Sequence, residues 1–453
     1  MQANVATHPD AFRVPDGCSF TLITPEKMFT HVNNGRISVH ITPASHASAN
    51  IMQSPPSGRE RREKKMDISL TEDQLAIDES VRRLCSQFSD EYWTDCEEQT
   101  RFPEEYYQAM AGAGWLGITM PTELGGAGLG VTEAAIMMHA ATSSNGGYSA
   151  ATAIHVNLFG PHSIVVHGTE EQKRRILAPL LKGEKKVCFG VTEPDAGLDT
   201  TNISTFATRV EGGYRITGRK MWTSTAQVAD KIIILARTSP KEEGSNPTKG
   251  MTLFCTDLDR SKIEVKRIKK LGRNAVDSNA VFIDDLFVPD EDRIGEEGSG
   301  FRYLLDSLNP ERILVAIEAI GLGRDALRRA SAYAKDRRIF GRPIGQNQGI
   351  QHPLASNWIY LESAYWMCLR AASLYDQGKP CGAEANAAKF LGARAAFDAA
   401  TTAVMTHGGM GYAKEFQVER LFRESILTRI APITEQLILS FIGEKVLDLP
   451  KSY

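Results

Sequence analysis

No run of eighteen consecutive apolar residues occurs in this chain, so the sequence offers no membrane span of ordinary length. Charge of one sign is not in excess: 52 Lys and Arg stand against 55 Asp and Glu, a formal net charge of −3. That balance leaves no electrostatic footprint for nucleic acid or an anionic membrane as partner. Seven cysteines are scattered from Cys18 to Cys381 without a CxxC pair or a Cys/His cluster. Their spacing argues against a metal site and for a reducing compartment, where such thiols act as small buried apolar groups. The N-terminus also lacks the basic start and apolar stretch of a secretory signal, and Asp10, Asp16 and Glu26 intrude on any Arg-rich, acid-poor transit peptide.

What is present fits an ordinary globular protein of two or three domains: 453 residues, 42% hydrophobic and 24% charged. Residues 1–65 read as foreign to the rest, holding four of the ten histidines and ending in the charge run Arg59 to Lys65. They are expected to be a disordered extension, or to precede a true start at Met66. Helical patterning then runs over residues 66–186. Thr71 is expected to cap a helix carrying Leu75, Val81 and Leu84, and Thr169 with Gln172 forms a capping box. The glycines of ELGGAGLG, residues 123–130, follow no apolar strand and read as a connection between helices rather than a dinucleotide loop.

Over residues 187–295 the period changes to two. Runs beginning at Tyr214, Lys231, Met251 and Ala280 are β-rich and separated by turn residues, without intervening helices. An antiparallel sheet or barrel is the expectation. Long Ala- and Leu-rich helical stretches fill residues 296–453, as in a four-helix bundle. The fold class expected is α+β, in the order helix, sheet, helix.

Two segments of the middle region carry chemistry. VTEPDAGLD, residues 191–199, packs Pro, Gly and acids after a short apolar strand, so its backbone turns and presents N–H groups suited to a ring edge or a pyrophosphate. In GRKMWTS, residues 218–224, Trp222 offers a flat apolar face, with the hydroxyls of Thr223 and Ser224 beside it.

This pair of segments resembles the flavin-binding signature of the acyl-CoA dehydrogenase family, and the resemblance extends from about Met66 to the C-terminus. It implies FAD as cofactor. Phe189, Val191 and Thr192 would line the isoalloxazine. Gly197 and Leu198 would meet FAD and substrate, with Leu198 departing from the serine common in the family. Trp222 and Thr223 would face the ring, and Ser224 would bond near N5. RRIFG, from Arg337 through Phe340, together with Gln348 resembles the motif that holds the FAD pyrophosphate of a neighbouring subunit. MTHGGMG, with Met405, His407, Gly408 and Gly409, resembles the adenosine-side loop, and Thr434 and Gln436 complete the implied cofactor set. The resemblance further implies an acyl-CoA substrate, an electron-transfer flavoprotein as partner, and a homotetramer or dimer. It also implies a cytoplasmic location, or the mitochondrial matrix in a eukaryote. No metal is implied.

The reaction implied is α-proton abstraction from an acyl thioester with β-hydride transfer to flavin N5. Most of the family places its glutamate base shortly before a Thr-x-Gln; here Pro432 occupies that position. Proline brings neither a carboxylate nor an N–H. A minority of relatives, isovaleryl-type enzymes among them, carry the base on an earlier helix, where this chain reads LNPERILVA with Glu311 at the relocated position. Asn309 and Arg312 beside it are implied to meet substrate. Glu311 also reads as the second residue of a helix starting at Asn309 and Pro310, where it would complement the dipole. Glu435, or no base at all, stand as alternatives. So do two other functions on the same fold: an oxidase or flavin monooxygenase, and a silent FAD- or acyl-CoA-binding subunit paired with an active paralogue.

Overall fold

The computed structural model describes the backbone of residues 21–23, 29–33 and 36–40, and residues 69–244 and 246–451, the side chains of 307–309 excepted. The chain divides into two units, Met1–Ile68 and Ser69–Tyr453. In the first, β1 (Thr21–Ile23), β2 (Phe29–Asn33) and β3 (Arg36–His40) form an antiparallel meander. The segment expected to be disordered thus contains three short strands, and the rest of it lies outside the described residues.

The second unit opens with α1 (Glu72–Cys85), α2 (Asp90–Glu98), α3 (Glu104–Gly112), α4 (Val131–Thr142), α5 (Gly147–Phe159) and α6 (His162–His167). Thr71 caps α1 in a reciprocal box with Gln74. The buried stripe of α1 is Ile77, Val81 and Cys85, while Leu75 is exposed. The Gly-rich connection leads into α4, and the first amides of that helix, Val131 and Thr132, donate to the Asp376 carboxylate at 2.7 and 2.9 Å. An intramolecular acid satisfies the positive end that a phosphate would otherwise seek. The capping box of Thr169 and Gln172 opens α7 (Glu170–Gln172), which passes through a π turn into α8 (Ala178–Leu181).

The sheet follows: β4 (Val187–Gly190), β5 (Phe206–Val210), β6 (Gly213–Ser224), β7 (Lys231–Arg237), β8 (Met251–Asp257), β9 (Ile263–Arg267), β10 (Ser278–Pro289) and β11 (Arg293–Ile294). Its order is β11-β8-β7-β5-β6-β10-β9, with β4 beside β7. Most pairings are antiparallel, as expected, but β4 and β5 each run parallel to β7. Every residue of β7 is buried, the signature of a strand covered on both faces.

α9 (Gly300–Asp336) is 37 residues long and runs straight through Pro310, so no helix begins at Asn309. A short ribbon of β12 (Arg338–Ile339) and β13 (Arg342–Pro343) leads to α10 (Gln348–Asp376), α11 (Gly382–His407), α12 (Val418–Ile430) and α13 (Glu435–Lys445). Helices α9 to α12 make the bundle, and α4 and α5 pack against α9 to join it to the N-terminal helices. The stretch Val418–Lys445 is long and apolar enough by composition to cross a bilayer. It is two helices rather than one, interrupted at 431–434, and α12 holds the buried ion pair Arg420–Glu424.

Candidate active site

The loop after β4 is anchored from beneath. Lys220 on β6 is fully buried and donates to Glu193 at 2.9 Å and to the carbonyls of Leu235 and Val191 at 2.7 and 3.2 Å. Glu193 also accepts from the amides of Ser204 and Thr205. Burial disfavours its charge, but the Lys220 ammonium and those hydrogen bonds hold its carboxyl down at about 2. The outer residues of the loop are left free: Gly197 and Leu198 are exposed, and Leu198 presents 52% of its surface. Phe189, Val191 and Thr192 are half-buried, and Thr192 accepts from the Met221 amide at 2.8 Å, which stitches this loop to β6.

At the end of β6, Trp222 lies in the left-handed backbone region at φ 63 and keeps 58% of its surface exposed. An exposed indole on a strained backbone is an arrangement that ligand sites tolerate and cores do not. Ser224 is half-buried beside it, while the Thr223 hydroxyl is buried and finds no partner. The Thr223 side chain is thus turned into the protein, whereas the Trp222 ring is open.

Behind this shelf, α5 and α9 enclose a polar cluster that spacing alone had not assembled. Glu311 and Glu318 are seven residues apart on α9, two turns along one face. Nδ1 of His155, on α5, meets Glu318 at 2.5 Å, and its ring lies against Phe159, which in turn contacts Phe189. Burial opposes the imidazolium, yet the charge of Glu318 and the bond to it outweigh burial and raise the His155 pKa. Glu311 is half-buried. Burial pushes its carboxyl up to about 7 against the opposing charges of His155 and Arg312. Tyr148 and Arg273 lie within electrostatic reach of the same groups, and Arg273 Nη2 reaches Ser224 Oγ at 3.5 Å. The cluster thus extends from Glu311 to the foot of the Trp222 shelf.

The two candidate bases part company here. Glu435 accepts from Arg429 at 2.7 Å and from Arg394 at 3.1 Å, and the bonds from Arg429 in particular hold its pKa below the usual carboxylate range. It is a committed ion-pair partner. Pro432 lies in the turn between α12 and α13, and Thr434 Oγ1 caps α13 by accepting from the Leu437 amide.

The remaining sequence-derived residues form a separate exposed set. Arg337 closes α9, Phe340 stands on the ribbon at 100% exposure, and Gln348 opens α10 in the open. Met405, Gly408, Gly409 and Gln436 are exposed too. His407 is different: it is buried, its Nδ1 lies 2.7 Å from the Ala403 carbonyl, and its ring stacks on Tyr333 at 4.2 Å. That imidazole packs the end of α11. The Arg312 side chain is half-buried next to Glu311, and the Asn309 side chain lies outside the described residues.

The helix–sheet–helix order, the open indole of Trp222 and the half-buried Glu311 carboxyl of raised pKa are set out on one chain whose three regions can be compared with known proteins. The chain belongs to the acyl-CoA dehydrogenase family. The family's N-terminal, middle and C-terminal domain models match residues 71–184, 188–286 and 298–447. Acyl-CoA dehydrogenase fadE12 of Mycobacterium bovis is 33% identical over 389 residues, 84% of this chain and 98% of that protein. The caffeyl-CoA reductase-Etf complex subunit CarC of Acetobacterium woodii is 33% identical over 368 residues, 79% and 94% of the two chains. Among solved structures, a glutaryl-coenzyme A dehydrogenase–glutaryl-CoA complex superposes with a TM-score of 0.81 at 27% identity, covering 85% of this chain and 98% of that one. The protein is accordingly an oxidoreductase of the acyl-CoA dehydrogenase type, a family whose cofactor is FAD.

Proposed function

We propose that this chain desaturates an acyl-CoA thioester between its α and β carbons, with Glu311 taking the α-proton and an electron-transfer flavoprotein receiving the electrons. The observation that carries this reading is the contrast between two carboxyls. Glu311 is raised to about 7 by burial on α9, whereas Glu435 is locked between Arg394 and Arg429. A base must be ionised at working pH and still hold a proton well once it has taken one, and Glu311 meets both needs.

The residues around Trp222 fit a flavin. An exposed apolar face, a half-buried hydroxyl at Ser224 and a turn with open space around Gly197 form a cradle whose chemistry suits the ring. Phe189, Val191, Thr192, Trp222 and Ser224 would hold the ring, and FAD when bound would supply the hydride acceptor. Exposed Arg337 and Phe340 would reach the cofactor of a neighbouring subunit, so the assembly would be a dimer or tetramer. That reading is supported by apolar surface left open on α10 at Trp358, Ile359 and Tyr360.

His155 and Glu318 set the field behind Glu311. Glu318 raises the His155 pKa, and positive charge on that imidazole in turn lowers the Glu311 pKa against burial. After abstraction the proton resides on a Glu311 carboxyl oxygen.

Anaerobic titration of the flavoprotein with straight, branched and aromatic acyl-CoAs, followed by bleaching of flavin absorbance, tests the proposal. Bleaching by one class, lost in Glu311→Gln with flavin content retained, is expected. Undiminished bleaching in that variant removes Glu311 from the mechanism. No bleaching by any thioester turns the assignment toward the oxygen-using or silent alternatives.

A further inference from the structure

His155 is an imidazole with one nitrogen committed and one spare. It lies on α5 at 8% exposure, and its Nδ1 meets the Glu318 carboxylate at 2.5 Å. Among the described residues its Nε2 has no hydrogen-bond partner. A ring nitrogen taken out of water and left unpaired is costly unless a ligand completes it. The two nitrogens stand on different edges of the ring. With Nδ1 given to α9, the edge that carries Nε2 is left for a group from elsewhere.

Contacts on two sides locate this ring. It packs on Phe159 at 4.6 Å, and Phe159 packs on Phe189 at 5.3 Å, in the strand that leads into the 191–199 loop. Glu318 ties it to α9, on the face that also carries Glu311. Burial deepens along that face, from half-buried Glu311 to Glu318 at 1% exposure. A bulky CoA therefore belongs on the Glu311 side, and the acyl tail runs inward toward His155. The two acids are seven residues apart, about 10 Å along the helix.

The chemistry of the spare nitrogen selects its partner. A neutral imidazole that donates from Nδ1 to Glu318 presents a lone pair at Nε2, whereas a protonated one presents an N–H there. A hydroxyl serves both states, donating to the first and accepting from the second. A carboxylate would set a second negative charge beside Glu318, and a methyl group would leave Nε2 unpaired.

We propose that His155 Nε2 binds a hydroxyl group roughly five bonds beyond the α-carbon, so that the substrates of this site are hydroxyacyl thioesters. The assignment rests on the acyl-CoA reading above and narrows it to one chemical class. His155 acts here as a specificity-determining residue, aimed by Glu318, and takes no proton from the α-carbon.

The test uses the flavoprotein and two pairs of thioesters that differ only by methyl in place of hydroxyl. They are 6-hydroxyhexanoyl- with heptanoyl-CoA, and 3-(4-hydroxyphenyl)propanoyl- with 3-(4-methylphenyl)propanoyl-CoA; adipyl-CoA supplies the carboxylate. Anaerobic titration gives the concentration at which each half-bleaches the flavin. In at least one pair the hydroxyl member is expected to act at a concentration roughly 10- to 100-fold lower. In the double variant His155→Phe with Glu318→Gln, which keeps a ring against Phe159 and leaves no buried charge unpaired, that ratio falls to near one. Comparing the members of a pair within one variant cancels any change at Glu311. Equal response within both pairs overturns the proposal on the unmodified protein, whether or not the double variant folds. A ratio that survives in the double variant also overturns it, as does adipyl-CoA acting at a lower concentration than 6-hydroxyhexanoyl-CoA. Bleaching by the methyl-ended members alone leaves the dehydrogenase reading standing and removes only the hydroxyl. Silence toward all five removes both.

Discussion

The ammonium of Lys220 stands 2.9 Å from the carboxylate of Glu193, with both groups shut off from solvent, and this contact ties the loop after β4 to the strand that carries Trp222. The residues expected around the flavin, from Val191 to Leu198 on the loop and from Trp222 to Ser224 on the strand, are therefore set relative to one another by a pair buried beneath them.

Lys220→Met is expected to leave Glu193 buried and uncompensated, costing about 3 kcal/mol of unfolding free energy. It should also loosen flavin retention, since the carbonyls of Val191 and Leu235 lose their donor. Chemical denaturation and the flavin-to-protein absorbance ratio measure the two effects. The double variant Glu193→Gln with Lys220→Met should recover part of the stability. The Glu193 carboxyl is held at about 2, below its value in an unfolded chain. Its contribution is thus present above the unfolded value near 4.5 and lost as pH falls through about 2. The stability lost in Lys220→Met should accordingly be largest above about 4.5 and shrink as pH falls toward 2.

Glu435 allows the opposite kind of test. Its bonds to Arg394 and Arg429 fasten the start of α13 to α11 and α12. Glu435→Gln should lower thermal stability by a few degrees while flavin reduction by thioester proceeds near the normal rate. A loss of reduction comparable to that in Glu311→Gln would make Glu435 the base instead.

How far the sequence reveals this site depends on where each residue sits. Trp222, Gly197, Arg337 and Phe340 stand in contiguous motifs and are exposed, so their patterns are not confounded by core packing. The strands beginning at Tyr214, Lys231 and Met251 were legible from β-branched runs and turn residues. His155 and Glu318 are 163 residues apart and meet only because α5 packs on α9. The one signal was a solitary acid at Glu318 within the apolar run ILVAIEAIG. Arg273 gave none, being one more charge in the stretch IKKLGRN. The helix start expected at Asn309 failed because proline costs a helix only a few kcal/mol, which packing of a 37-residue helix against α4 and α11 overrides. His407 was read as part of a glycine loop, but it belongs to the last turn of α11, where stacking on Tyr333 buries it.

Arg337→Ala should weaken flavin retention by roughly 10- to 100-fold, the range for loss of charge-assisted bonds to a diphosphate. Its side chain is exposed within one chain and has no flavin-ring residue nearby in the sequence, so the effect should depend on assembly. Sedimentation at decreasing protein concentration, with flavin absorbance as the signal, checks this. Flavin that stays bound to dissociated monomers of the unmodified protein would break the link between Arg337 and a neighbouring subunit.

The pH dependence of flavin reduction follows from Glu311 directly. Burial raises its carboxyl to about 7, so below that pH the group is protonated and cannot accept the α-proton. The rate constant at saturating thioester should climb about tenfold per pH unit in the acid range and level off above about 7. The sign is that of a base: activity is gained, not lost, as pH rises through the folded-state value. His155→Gln supplies the control, because the imidazolium is what holds the Glu311 pKa down against burial and Glu318. Removing it leaves the Glu318 charge uncompensated two turns away, so the inflection should move to higher pH while the plateau is still approached. Glu311→Gln should depress the plateau by roughly two to four orders of magnitude, as when a positioned base is lost, and erase the inflection altogether. A profile whose inflection stays near 7 in both variants would belong to another group and would take Glu311 out of the proton path.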